Sequence, residues 1–164
     1  MNILDRLPRV TLQSSYSVDL PIETVFDYLS DPQQFAGTTT GQKVEMWTLD
    51  ADHIDGRAGY GIWSPVSPLG RIFRVYLEVD RPSLIVIETW SDAEPRRGRV
   101  TLRLEPTVVG TIVRDTTELP LNARNMLSAL VWPVWRMRGG HKQIGRMRAS
   151  IIERWAAHRP SAIE

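Results

Sequence analysis

The sequence predicts an α+β fold, in which a curved antiparallel sheet of about seven strands wraps around a long C-terminal helix. Two observations lead to this prediction. Strand-like segments follow one another through the middle of the chain, and the stretch Leu121–His158 shows helical spacing of apolar residues without strand alternation. Consecutive strands joined by short loops favour an antiparallel meander. Because the apolar face of such a sheet must be buried, the C-terminal helix is expected to cover it.

The first strand is predicted over Arg9–Leu20, where apolar and polar residues alternate. Pro21 and the acidic residue that soon follows it are helix-start signals, and the helix is expected to end near Pro32. A short second helical turn is predicted over Pro32–Phe35. One face of the first strand would carry Val10, Leu12, Ser14, Tyr16 and Val18.

The middle of the chain is predicted to be β structure throughout. The turn-rich segment 64–70 separates two of the strands, and Asp80–Ser83 forms a tight hairpin turn. The predicted strands cover Gln42–Leu49, Arg57–Trp63, Arg71–Val79, Leu84–Trp90, Arg99–Glu105 and Thr111–Leu119.

The C-terminal helix is predicted to be amphipathic and interrupted. Pro133 should kink it, because proline lacks a backbone donor, and Gly139-Gly140 is a second weak point. His141 is a polar residue on the otherwise apolar line. That line contains Leu127, Leu130, Val134, Met137, Ile144, Ile151 and Trp155.

Composition limits the function classes. The 164 residues suit a single domain, with a core at about residues 9–157, and a net charge of +1 gives no general case for nucleic-acid binding. The chain has no cysteine and three widely separated histidines, so we expect no metal site and no cofactor. Without a signal-peptide pattern or a long apolar stretch, a soluble cytoplasmic protein is the expectation.

Three local patterns resemble a known family. They are Ser17–Pro32, which runs from a strand into a helix, the hairpin Val79–Leu84, and Gly110-Thr111-Ile112-Val113 at the start of the last strand. Together with the element order they resemble the helix-grip fold of the START-like (SRPBCC) superfamily, which includes polyketide aromatase/cyclases and lipid-transfer domains. Many members carry a tryptophan after the first helix, where this chain offers Phe35. The resemblance implies a cavity, but it does not fix a function.

The hairpins predict which side chains face that cavity. Pairing Val79 with Leu84 places alternate residues of both strands inward, and leaves Arg74 and Tyr76 outward. Pairing Leu104 with Thr111 orients the last hairpin in the same way. For Arg57–Trp63 both faces remain open: either Tyr60 and Ile62 face inward, or the glycines and Trp63 do. The predicted ligand-binding residues are Tyr16, Phe73, Val75, Leu77, Glu88, Trp90, Leu102, Val113, Asp115, Met137 and His141.

Glu88 and Asp115 stand out, because an unpaired carboxylate on an apolar face is costly. Either they line a wet cavity or they pair with a basic group, for which His141, Arg71 and Arg148 are the candidates. A carboxylate–imidazole contact could perform acid/base chemistry. The alternative is that Glu88 reaches water at the sheet edge and His141 is a satisfied histidine.

Three functions are compatible with these observations. The first is binding of a hydrophobic or aromatic molecule that is lipid-, polyketide- or quinone-like, which the apolar inward residues Phe73, Val75 and Leu77 favour over catalysis. The second is a cyclase/dehydratase-like enzyme. The third is docking to a protein or membrane surface through Trp132 and Trp135, although burial of both is favoured. The chain would be a monomer or a homodimer.

Overall fold

A computed structural model describes residues 9–35, 45–49, 57–63, 70–120 and 140–158. Within these ranges the elements follow the predicted order, and a helical turn covers residues 32–35 as predicted. The elements are β1 (Arg9–Val18), α1 (Ile22–Ser30), β2 (Glu45–Thr48), β3 (Gly59–Trp63), β4 (Ile72–Asp80), β5 (Leu84–Ser91), β6 (Gly98–Pro106), β7 (Thr111–Pro120) and α2 (Gly140–His158).

The seven strands form one antiparallel sheet in the order β1-β7-β6-β5-β4-β3-β2. Neighbours from β2 to β7 are consecutive in sequence, which is the predicted meander. β1 instead pairs with β7, so the chain leaves β1 at one edge of the sheet and enters β2 at the other. Helix α1, which follows β1, packs on β6.

Helix α1 begins after Pro21, whose carbonyl accepts a hydrogen bond from the Val25 amide at 3.2 Å. Pro21 is the N-cap residue, where its missing N–H costs no helical hydrogen bond and its carbonyl accepts the first one. The helix ends where the Asp31 amide donates to the Asp27 carbonyl, also at 3.2 Å. Its buried side chains are Val25, Phe26, Tyr28 and Leu29.

The core lies on the face of the sheet that carries both helices, which we call the inner face. Helix α2 packs on β1 and contacts α1, where the Tyr28 and Trp155 rings meet edge to face at 5.1 Å between centroids. The residues that the sheet and α2 contribute to this core are Tyr16, Val18, Ile85, Ile87, Leu102, Leu104, Val113, Ala149 and Ile152.

The buried line of α2 differs from the predicted one. Ile144 is 37% exposed, whereas Ala149 and Ile152 are buried and Gly145 faces β1. A Cβ atom at Gly145 would lie 2.8 Å from the Cβ of Tyr16, so the small residue permits the close approach of helix and strand. The prediction for Ile144 is wrong because a stripe drawn through large apolar residues overlooks glycine and alanine.

The β4–β5 hairpin contains the main error in the predicted faces. Asp80, not Val79, pairs with Leu84, and a β-bulge lies between Tyr76 and Glu78. The bulge offsets the shifted turn, so Phe73 pairs with Trp90 and Val75 with Glu88, as predicted. These pairs, however, lie on the outer face. The inner face carries Arg74, Tyr76, Ile85 and Ile87 instead.

The inner faces of β3, β6 and β7 follow from their packing and strand pairing. Tyr60 and Ile62 of β3 pack together with Ile72 and Tyr76, so the first of the two alternatives for this strand is correct. In the last hairpin Leu104 pairs with Val113 rather than with Thr111, a shift of two residues that leaves the predicted faces unchanged.

Part of the predicted C-terminal helix lies outside the described residues. Helix α2 accounts for its second half, and within the described part of the chain no helix is long and apolar enough to cross a membrane. The predicted features outside that part are Leu127, Leu130, Trp132, Pro133, Val134, Trp135, Met137 and the side chain of His141.

Candidate functional site

Three polar side chains come together on the inner face of β3 and β4. Tyr60 pairs with Arg74 across the two strands, and Tyr76 lies two residues further along β4. Arg74 is only 8% exposed. Its Nη1 donates to the Tyr60 hydroxyl at 3.4 Å, and its guanidinium lies 4.7 Å from the centroid of the Phe35 ring. A buried charge is thus held among aromatic rings, an arrangement that cation–π attraction stabilises.

Tyr76 links this cluster to α1. Its hydroxyl donates to the Ser30 carbonyl at 2.9 Å, at the end of the helix, and its ring centroid lies 6.0 Å from that of Tyr60. Burial above all, and then the neighbouring Tyr60 phenol, raise the pKa of Tyr76 well above its ordinary value. Tyr76 therefore remains a neutral phenol at physiological pH.

A groove of about 470 Å³ opens beside this cluster. One side is formed by Asp31, Pro32 and Gln33 after α1, and the other by β2, β3 and β4. Tyr60 and Tyr76 belong both to the wall of the groove and to the polar cluster. The sheet residues that line it are Met46, Trp47, Thr48, Ala58, Gly59, Tyr60 and Tyr76.

A second, half-buried polar group lies at the opposite side of the inner face, where α2 packs on the sheet. Arg148 Nη1 donates to Asp115 Oδ2 at 2.8 Å, and the Thr117 hydroxyl donates to Asp115 Oδ1 at 3.0 Å. Burial raises the pKa of Tyr16, whose ring lies 6.0 Å from the Arg148 guanidinium. Arg148 is one of the three predicted partners for this acid. Because both carboxylate oxygens are engaged, Asp115 is a structural anion here rather than an available base.

Glu88 lies on the outer face, away from this group. Arg97 Nη1 contacts Glu88 Oε2 at 2.6 Å, and the same guanidinium lies 4.8 Å from the Trp90 ring. Trp90 in turn stacks on Phe73 with 5.6 Å between ring centroids. Glu88 and Asp115 are therefore on opposite faces of the sheet, and the prediction that they share a pocket is wrong. Arg71, another predicted partner of Glu88, instead bonds Asp92 at 3.0 Å.

The predicted ligand-binding residues divide between the two faces. The prediction that the inward residues of β4 are all apolar is wrong, because Arg74 and Tyr76 lie on the inner face. The argument that this strand offers no polar groups to a cavity is therefore wrong as well. Leu77 is the unpaired residue of the bulge, and Met137 and the His141 side chain lie outside the described residues. The inner face carries Tyr16, Leu102, Val113 and Asp115, and the outer face carries Phe73, Val75, Glu88 and Trp90.

Sequence reasoning missed Tyr60, Arg74 and Tyr76 as a cluster. The sequence contained one indication of it, because Tyr60 faces inward in one of the two alternatives that were left open for β3. The unbroken apolar run Leu84–Ile87 gave no indication of which face of β5 is inner, so the face of β4 could not be inferred from it. Among the residues described, no group of three or more acidic and histidine side chains could hold a metal ion.

The raised pKa values of Tyr16 and Tyr76 predict a loss of stability in alkali. Below a pH of about 10, the ordinary pKa of tyrosine, both folded and unfolded chains keep these protons, and the contribution to stability is complete. As the pH rises above that value, the unfolded chain releases the protons of Tyr16 and Tyr76, but the folded chain retains them because its pKa values are raised. The free energy of unfolding should therefore fall, which urea unfolding at a series of alkaline pH values will measure.

The Tyr76→Phe variant provides the comparison. It should be less stable at neutral pH, because the hydrogen bond to Ser30 is lost, but its stability should decline less steeply in alkali. If phenolate absorbance shows all four tyrosines of the folded protein titrating near the ordinary pKa, the argument is contradicted.

Comparisons with known proteins agree on the fold. A family model described as "Activator of Hsp90 ATPase homolog 1-like protein" matches residues 19–129. Norcoclaurine synthase from Thalictrum flavum, in complex with dopamine and hydroxybenzaldehyde, superposes with a TM-score of 0.64 at 12% identity, over 98% of this chain and 95% of that one. No significantly similar sequence is found among curated proteins.

Two bacterial proteins are similar at slightly higher identity. Protein MLL2253 from Mesorhizobium loti has a TM-score of 0.60 at 16% identity, covering 88% of this chain and 98% of that chain. Protein CV1439 from Chromobacterium violaceum has a TM-score of 0.58 at 17% identity, covering 87% and 97%. The seven-stranded sheet with its C-terminal helix is the helix-grip fold that was predicted.

Proposed function

The chain belongs to the Activator of Hsp90 ATPase homolog 1-like family, and we propose that it binds a hydrophobic or aromatic small molecule between the inner face of its sheet and its helices. The candidates are lipid-, polyketide- or quinone-like compounds. The proposal includes a cytoplasmic location and a monomeric or homodimeric state, both of which stay predictions.

The observation that carries the proposal is the groove beside Tyr60 and Tyr76. Its volume of about 470 Å³ falls within the usual range for small-molecule sites, which are mostly apolar with a few well-placed polar groups. Helix α2 packs on β1, at the edge of the sheet opposite β2, so it does not fill this region. Aromatic walls with the rings of Tyr60 and Tyr76 suit a ligand that is itself aromatic or apolar.

The relatives support the kind of ligand without naming it. Norcoclaurine synthase is in complex with two aromatic molecules, so a helix-grip fold can accommodate them. Catalysis by Glu88 and Asp115 together forms no part of the proposal, because the first lies on the outer face and the second is held by Arg148.

Binding of the neutral fluorophore N-phenyl-1-naphthylamine tests the proposal, because its emission rises in an apolar site. The protein should give a saturable increase. Thr48 lines the groove and pairs with Tyr60 across β2 and β3. Thr48→Trp should therefore fill the groove and weaken fluorophore binding by about tenfold or more, which corresponds to about 1.4 kcal/mol or more.

Thr101→Trp is the matched control, since Thr101 pairs with Thr116 on the outer face of β6 and β7. It should bind the fluorophore as the unaltered protein does. The absence of saturable emission, or equal affinities for the two tryptophan variants, would overturn the proposal.

A further inference from the structure

Arg74 is a buried cation that has no acidic partner among the described residues. It is the only buried arginine in the described part of the chain, and no carboxylate described there lies within 4.0 Å of it. An arginine keeps its charge in a protein, and a charge removed from water is costly unless an opposite charge compensates it. The described arginines that do pair with acids are Arg71, Arg81, Arg96, Arg97, Arg114 and Arg148.

From this arrangement we propose that Arg74 binds the carboxylate of the ligand, so that the ligand class is an apolar or aromatic monocarboxylate. The inference rests on the proposed function, because it assigns the polar end of the molecule that the groove would hold.

The contacts that Arg74 makes leave it able to bind an anion. Phe35 covers one face of the guanidinium, and within the described part of the chain only Nη1 donates, to the Tyr60 hydroxyl at the long distance of 3.4 Å. The N–H donors at the edge of the guanidinium plane match the two oxygens of a carboxylate. A cation with one covered face, whose remaining N–H donors make no hydrogen bond to a described residue, is suited to bidentate recognition.

Tyr60 connects the groove with Arg74. Its ring forms part of the groove wall, and its hydroxyl is the group that touches Arg74. A carboxylate at the inner end of the groove would replace the long phenol contact and could accept a hydrogen bond from the Tyr60 hydroxyl as well. The apolar part of the molecule would then extend toward Met46 and Thr48 in the groove.

The charge count favours a single negative charge on the ligand. The other buried or half-buried arginine of the inner face, Arg148, is neutralised by Asp115 at 2.8 Å. Asp31 lines the groove and would repel further negative charge. One cation that no described acid compensates therefore matches a monocarboxylate better than a phosphate dianion.

The test compares 2-naphthoate with 2-naphthamide, which has nearly the same size but no charge, as competitors of N-phenyl-1-naphthylamine. Because a hydrogen-bonded charge pair contributes more than a neutral one, naphthoate should compete about tenfold to a hundredfold more strongly. Arg74→Met should abolish this preference, whereas Arg74→Lys should retain much of it. Arg103→Met, on the exposed outer face of β6, is the control and should retain it fully.

The possible results separate the two proposals. If the fluorophore binds but the unaltered protein does not distinguish acid from amide, the role of Arg74 is overturned and the cavity stands. If the fluorophore does not bind at all, the proposed function fails and the inference fails with it. If Arg74→Met does not fold, the role of Arg74 is tested by comparing naphthoate and naphthamide in the unaltered protein and in Arg74→Lys. A preference equally strong in Arg74→Met would also overturn the inference.

Discussion

Replacing Gly110 with alanine is expected to destabilise the protein by about 3 kcal/mol, at the upper end of the usual cost of overpacking. Gly110 precedes β7 and lies against the end of β1. An added Cβ would overlap the carbonyl oxygen of Val18 and lie 3.0 Å from the Cα of Asp19. These are backbone atoms, which cannot rotate aside as a side chain can.

The surroundings of Gly110 leave little room for adjustment. Val18 and Thr111 are the last residue pair of the β1–β7 ladder, and the Thr111 hydroxyl donates to the Leu20 carbonyl at 2.8 Å. The alanine variant must therefore separate the β1–α1 junction from β7.

Urea unfolding will measure the difference, with Val108→Ala as the control in the same turn. Val108 is fully exposed, so its removal should change the free energy of unfolding by less than about 0.5 kcal/mol. Equal stability of the two variants would show that β1 does not approach Gly110 this closely.

Ile152→Ala is expected to cost about 3 kcal/mol, because it leaves a cavity where α2 meets the sheet and α1. Ile152 is completely buried in the main core. It is the largest fully buried side chain that α2 contributes, so its truncation should weaken the attachment of the helix most strongly.

Ile144→Ala is the matched control, since it makes the same chemical change on the same helix at a position that is 37% exposed. Its cost should stay below about 1 kcal/mol, because little buried contact is lost. Thermal and urea unfolding of both variants will measure the two losses of stability. Equal losses would mean that Ile144 faces the core, as the apolar spacing alone predicts.

The success of the face predictions depended on how clearly each strand separates polar from apolar residues. In β6 and β7, charged residues such as Arg103 and Arg114 alternate with Leu102 and Val113, and the predicted faces are confirmed. The run Leu84–Ile87 is apolar on both faces, so it contains no such information. The bulge at Leu77 could not be anticipated either, because nothing in the residue types around it marks an extra residue.

The candidate site was predicted less well than the fold for a related reason. Arg74 and Tyr76 are predicted to face outward because pairing Val79 with Leu84 places the alternate, apolar residues of β4 inward. Their burial is possible only because Tyr60, Phe35 and the Ser30 carbonyl contact them, and these partners lie 14 to 46 residues away in the chain or on another element. The spacing of residues along one strand carries no information about such contacts.

The sequence by itself determined the order of the elements, the antiparallel meander and the family resemblance, because these follow from local periodicity and turn residues. Only the tertiary structure decided which face of each strand is inner. A strand of period two has two faces, and the helices that pack on one of them make it the inside. This choice moved Glu88 and Trp90 to the outer face, paired Asp115 with Arg148, and brought Arg74 and Tyr60 together beside the groove.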